Sequence, residues 1–379
     1  FFFLMIPRPP RSTLFPYTTL FRSPQNTAIS PGQDSEDRAT PSAPVAAAQP
    51  PIVESVLNYT SSDNVDNGVN GISTIYHEGF LYTLENYPGI KGHNLAKRNL
   101  DWSIVWNKSS PDQMFDLLIF GDNIYTVGCN QSSYILTINK FDMNGNLILQ
   151  KNDFPANYYF GKSICTNGSH IFISFSYVSG AFHLGVMALD INLTPIWTKY
   201  WISEPSKTED PKQIEYFENY LYISGGSSDN NLYVWKYNIY GDLIWMYNST
   251  STYYPSFQSM NVTNIGIFAT GQNFIGGIMY SVLTRLTHDG DLVWETTFNP
   301  HYRGRSIAMD NYYIYVVQES YEFNQPNSTI SVWDHQGNHI MDSGLIKISG
   351  AMVSKRSPLV NHQLYVSGYE KIAGLGYAS

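Results

Sequence analysis

Residues 220–225, YLYISG, and 236–245, KYNIYGDLIW, decide the fold of this chain. The first is a short apolar–aromatic–apolar strand ending in glycine. The second is a β-hairpin, in which an Asn/Asp-Gly type of turn separates two apolar stretches. The strand recurs as FLYTL (80–84), NIYTVG (123–128), HIFISF (170–175), GIFATG (266–271), YIYVV (313–317) and QLYVSG (363–368). Its central aromatics are Tyr82, Tyr125, Phe172, Tyr222, Phe268, Tyr315 and Tyr365, at a spacing of about 47 residues. The hairpin follows six of the seven: KRNLDWSIVW (97–106), KFDMNGNLIL (140–149), ALDINLTPIW (188–197), KYNIYGDLIW, RLTHDGDLVW (285–294) and VWDHQGNHIM (332–341). Gly145, Gly241, Gly290 and Gly337 supply the positive φ that such turns need.

A third element precedes the aromatic strand, as in GKSICTN (161–167), PKQIEYF (211–217), GRSIAMD (304–310) and SKRSPLV (354–360). Each period therefore holds four short strands, the size of a β-propeller blade. The pattern predicts an all-β chain: a seven-bladed β-propeller of four-stranded antiparallel blades. The seventh aromatic strand is not followed by a hairpin of its own. VESVLNYTSS (53–62) reads like the end of another blade's hairpin, so a strand at 53–60 is expected to close the last blade, with EKIAGLGYAS (370–379) as its third strand. The competing reading is a chain cut short inside that blade.

Composition agrees with this reading. Only 14% of the 379 residues are charged, 15% are aromatic and 29 are tyrosine, which suits half-buried strands and tight turns. A net charge of −9 argues against nucleic acid as a partner. Past the first residues no apolar run approaches the roughly 20 residues of a membrane helix, so no transmembrane segment is expected. Cys129 and Cys165 read as two buried free thiols; a single bridge between neighbouring repeats needs their Cα atoms within about 7 Å.

The opening, FFFLMIPRPPRSTLFPYTTLFRS (1–23), is a poor signal peptide, because its arginines follow the apolar run and prolines interrupt it. Residues 13–23 match the in-frame translation of a common sequencing-library adapter, and 1–23 are read as an adapter artefact. Residues 24–51 are a Pro/Ala/Ser-rich linker without the large apolar residues needed to fold. The propeller is expected over 52–379.

The repeat unit, through NIYGDLIW (238–245), THDGDLVW (287–294), IYTVG (124–128) and LYISG (221–225), resembles those of quinoprotein-like β-propellers and of related surface-protein propeller repeats. The likeness covers about residues 70–368 and implies a fold only. Quinoprotein enzymes add cofactor ligands and often adjacent cysteines; neither is present, and no cofactor is expected. THDGDLVW also approaches the sialidase Asp-box, but its glycine comes one position early and Val293 replaces the threonine before Trp294.

No nucleophile elbow, metalloprotease or phosphate-loop motif occurs. His335 with His339, and Asp142 with Asn144, straddle turns and read as turn chemistry; DNVDNG (63–68) lacks the alternating Asp pattern and terminal Glu of a calcium loop, so no metal is expected. The tryptophans ending the hairpins read as packing between blades. One pattern exceeds the repeat. Ten residues before each aromatic anchor stand Ile72, Phe115, Lys162, Lys212, Gln258, Arg305 and Lys355, with Arg303 and Arg356 beside two of them. Four of these seven positions are basic in a chain with 22 Lys and Arg. In a propeller they start the innermost strands and gather at one mouth of the channel, where like charge attracts anions; strand starts that are merely solvated would carry the same residues.

The sequence thus points to a non-enzymatic ligand- or partner-binding propeller whose basic channel mouth takes an anionic ligand such as an acidic glycan, or engages a protein. The alternative is an enzyme (a lyase, glycosidase or quinoprotein-like dehydrogenase) at the same mouth, for which Asp116 and Glu215 are the candidate acids. Of eight N-x-Ser/Thr sequons, Asn58, Asn107 and Asn248 follow a blade's last strand, where a glycan is tolerated. They favour an extracellular or cell-surface protein, expected to be monomeric.

Overall fold

The computed structural model describes residues 2–5, 56–58, 70–86, 93–250, 255–320, 328–343, 356–360 and 363–366. Six four-stranded antiparallel blades follow one another along the chain. Blade 1 holds Asn70–His77, Phe80–Asn86, His93–Arg98 and Ile104–Ser110; blade 2 holds Gln113–Phe120, Asn123–Cys129, Leu136–Asp142 and Leu147–Lys151. Blade 3 holds Tyr158–Thr166, Ile171–Ser179, Ala181–Leu189 and Pro195–Trp201; blade 4 holds Glu209–Phe217, Tyr220–Ser227, Asn231–Asn238 and Leu243–Thr250. Blade 5 holds Ser256–Thr263, Gly266–Ile275, Ile278–Leu286 and Leu292–Pro300; blade 6 holds Tyr302–Met309, Tyr313–Ser320, Ser328–Asp334 and His339–Asp342. First strands of successive blades lie side by side and surround the channel.

The expected seven blades are corrected to six. A further small sheet is drawn from both ends of the chain, in the order Val56–Asn58, Phe2–Met5, Gln363–Val366, Leu359–Val360. It is not a repeat unit. With no hairpin of its own after Tyr365, the seventh aromatic strand pairs instead with Phe2–Met5, from the stretch read as adapter. Residues 370–379, the expected third strand, lie outside the described residues, as do DNVDNG and Lys355.

The aromatic anchors Tyr82, Tyr125, Phe172, Tyr222, Phe268 and Tyr315 are all buried. Four of them meet the hairpin tryptophan of their own blade edge-on or tilted: Tyr82–Trp106, Phe172–Trp197, Tyr222–Trp245 and Phe268–Trp294, each with centroids 6.2 Å apart. Each of these tryptophans then covers the turn glycine of the next hairpin. A Cβ on Gly241 would sit 2.9 Å from the Trp197 ring, and one on Gly290 2.9 Å from Trp245. Trp197, Trp245 and Trp294 also donate their indole N–H to carbonyls of those turns, at Ile239, His288 and His335. The tryptophans are therefore packing between blades, as the sequence suggested.

Turn chemistry fixes the hairpins. Asp142 accepts from the Asn144 and Asn146 amides, Asn238 from Tyr240 and Asp242, Thr287 from Asp289 and Asp291, and Asp334 from Gln336 and Asn338. These are side-chain-to-backbone turn bonds. The following glycines sit at φ between 76° and 91°.

Candidate functional site

Every first strand carries a β-bulge at the same place. The register breaks between Gly71 and Ser73, Met114 and Asp116, Gly161 and Ser163, Pro211 and Gln213, Phe257 and Ser259, and Gly304 and Ser306. The extra residues are Ile72, Phe115, Lys162, Lys212, Gln258 and Arg305. The six described positions picked out by sequence spacing are thus the six bulged residues. A bulge re-aims a side chain. All six of these residues remain partly exposed.

The cross-strand pair preceding each bulge contains one glycine and no more: Gly71–Glu85, Met114–Gly128, Gly161–Phe175, Pro211–Gly225, Phe257–Gly271 and Gly304–Gln318. The bulge pulls the backbones together. A Cβ on Gly128 would lie 1.8 Å from the Gln113 carbonyl oxygen, and one on Gly271 1.9 Å from that of Ser256. The glycine that ends many of the aromatic strands is therefore a mark of the bulge.

The cations among these residues are organised by carboxylates. Lys162 Nζ lies 2.9 Å from Asp210, which Lys212 also contacts. Arg305 Nε is 2.8 Å from Glu319, and Arg303 is 3.3 Å from the same carboxylate. Arg305 also reaches Gln258 at 3.5 Å. Four cations thus gather around two carboxylates. Burial would raise Asp210, but Lys162 and Lys212 outweigh it and hold its carboxyl below the usual carboxylate range. Burial lowers Arg305 to about 10 against the pull of Glu319.

The residue after each bulge is buried and polar, and in five of the six blades it ties blades together; in blade 6 the Ser306 hydroxyl has no hydrogen-bond partner among the described residues. Ser73 donates to Asp116 at 2.8 Å; Asp116 also accepts from Ser163 and from the Ile164 amide. Gln213 exchanges bonds with the Met260 amide and carbonyl, and Ser259 accepts from the Ile307 amide. In the C-terminal segment the residue at this place is Arg356. Its guanidinium meets Asp116 at 3.1 Å and donates to the carbonyls of Ile164 and Ile214. Arg356 thus belongs to the channel interior and joins blades 2, 3 and 4.

The two candidate acids also converge there. Asp116 is fully buried and consumed by the bonds just given. Glu215 accepts from Gln213 and from the Val262 amide. Burial raises it to about 7 against the opposing pull of Arg356. Glu215 and Arg356 both line two cavities of about 300 and 360 Å³, together with Ile75 and Tyr76. Sequence spacing missed this chamber, because its pieces come from positions 75, 76, 215 and 356.

Cys129 and Cys165 are free and buried, and burial pushes the Cys129 thiol up to about 12. Asn107 and Asn248 are exposed on the fourth strands of blades 1 and 4, whereas the side chain of Asn58 lies outside the description. Among the described residues no cluster of His, Cys, Asp and Glu could hold a metal, and no helix is long and apolar enough to cross a membrane.

No family model matches the chain, and no curated protein matches it. Among solved structures, BamB from Moraxella catarrhalis, a β-propeller, is similar with a TM-score of 0.52 and 15% identity, covering 84% of this chain and 89% of that one. A protein of unknown function from Bacteroides caccae has a TM-score of 0.45 and 10% identity, covering 76% of this chain and 97% of its own. The likeness to BamB agrees with a β-propeller fold.

Proposed function

We propose that this β-propeller is a binding module whose channel mouth takes an anionic ligand. The observation that carries the reading is the bulge ring: Lys162, Lys212 and Arg305, with Arg303 beside them, gather around Asp210 and Glu319. The carboxylates hold the cations in place without cancelling them, and low-dielectric walls focus the remaining positive field. Asp210 and Glu319 are each clamped by cations, which suits holding a charge more than moving a proton. Lys355 is proposed as a further member of the ring. The turn-plus-tryptophan hairpins support kinship with quinoprotein-like and surface-protein propellers. Exposed sequons at Asn107 and Asn248 support an extracellular placement, with glycans also proposed at Asn58.

The test is calorimetric titration with dextran sulfate at two salt concentrations. Binding is expected to weaken with salt and to fall more than tenfold in a Lys162→Ala/Lys212→Ala/Arg305→Ala/Lys355→Ala protein. Affinity unchanged by those substitutions would sink the proposal.

A further inference from the structure

One side of the mouth is aromatic. Phe160, two residues before Lys162 on the first strand of blade 3, is the hub. Its ring lies 6.4 Å from Phe115, 5.7 Å from Tyr134 and 6.1 Å from Phe182, while Lys162 Nζ stands 5.4 Å from its centroid. Tyr134 and Phe182 are 46% and 39% exposed, so the cluster presents ring surface to solvent.

The shelf is held rigidly. Phe160 and Tyr134 have φ of 30° and 59°, a region that L-residues enter at a cost. The Phe160 amide donates to the Tyr134 carbonyl, and a bridge joins Ile135 to Tyr159. The loop of blade 2 is thereby fixed to the entry of blade 3. Strained backbone that turns aromatic rings outward is not what interior packing demands.

We propose that the ligand of the mouth is an acidic oligosaccharide, with sugar rings on the Phe160–Phe182–Tyr134 shelf and a carboxylate or sulfate group at Lys162 and Lys212. This rests on the anion-binding reading and names its ligand class. A pyranose has a flat C–H face that packs on exposed aromatic rings, and acidic substituents at its rim. A peptide anchor side chain would need an enclosing pocket, and the two channel cavities are lined by other residues. Lys162 belongs to both parts, which sets the spacing between ring and acid group.

The experiment titrates the protein with a hexamer of galacturonic acid, a sulfated glycosaminoglycan hexasaccharide, a neutral maltohexaose and a polyaspartate peptide. An acidic saccharide is expected to bind, and maltohexaose not to bind measurably. Phe182→Ala combined with Tyr134→Ala should weaken acidic saccharide binding about tenfold and leave polyaspartate binding unchanged. Both positions are exposed, and circular dichroism melting confirms that the variant folds. If anions bind but the aromatic substitutions change nothing, or polyaspartate loses as much, the shelf is overturned while the basic mouth stands. If polyaspartate binds through Lys162 and Lys212 and neither acidic saccharide does, the saccharide assignment alone falls. If no anion binds, or binding ignores Lys162→Ala/Lys212→Ala, both readings fall.

Discussion

Glu215 shows how much a single side chain depends on what surrounds it. In an unfolded chain it titrates near 4.3; in the channel, burial moves it to about 7 even with Arg356 beside it. The native state therefore holds the proton more tightly than the unfolded state. Its contribution to stability is complete below the unfolded value and is lost as pH rises through about 7. Urea midpoints measured from about pH 4.5 to 7.5 should decline with pH in the native sequence. Glu215→Gln, which keeps the shape without the titration, should flatten that decline. An unchanged pH profile would show that Glu215 is solvated and titrates normally.

The unit of construction is the bulged first strand with its glycine partner. The sequence places the glycine on one side of the pair or the other: blade 5 has it on the second strand, at Gly271, and blade 6 on the first, at Gly304. Gly271→Ala puts a methyl group into the Ser256 carbonyl, so the strands must separate or the bulge must shift. The expected cost is about 1–3 kcal/mol, the range for overpacking a close contact, read from chemical denaturation. Alanine at Gly276, where nothing lies within 4 Å of the added carbon, is the control, with only the backbone cost of its positive φ. Equal losses at the two sites would mean that the close approach across the pair is not what selects glycine.

At the scale of the whole molecule, Arg356 joins the C-terminal segment to the ring. It reaches Asp116, which lies 240 residues earlier, as well as backbone carbonyls of blades 3 and 4. Removing it leaves a fully buried carboxylate without its cation. Arg356→Gln is expected to cost about 3 kcal/mol, at the low end for breaking a buried pair because the guanidinium is partly exposed. Asp116→Asn in the same chain should recover part of that loss, since the stranded charge is then gone. Additive losses in the double variant would show that the two residues are not coupled.

The local sequence determined what local physics can set. Alternating apolar and aromatic residues gave the strands, Asp-x-x-Gly and Asn-x-x-Gly turns gave the hairpins, and the regular anchor spacing gave the blade and a set of equivalent positions, read as strand starts, which the structure places at bulges inside the strands. Counting residues back from Tyr222 found Lys212 because each blade repeats the same register. The number of blades, the pairing of each cation with Asp210 or Glu319, the chamber around Glu215 and Arg356, and the aromatic shelf at Phe160 were decided by tertiary structure. Blade number depends on how the chain's ends pair, and the sequence of the last repeat leaves that open. The other features join side chains from separate blades, across distances that a repeat pattern does not encode.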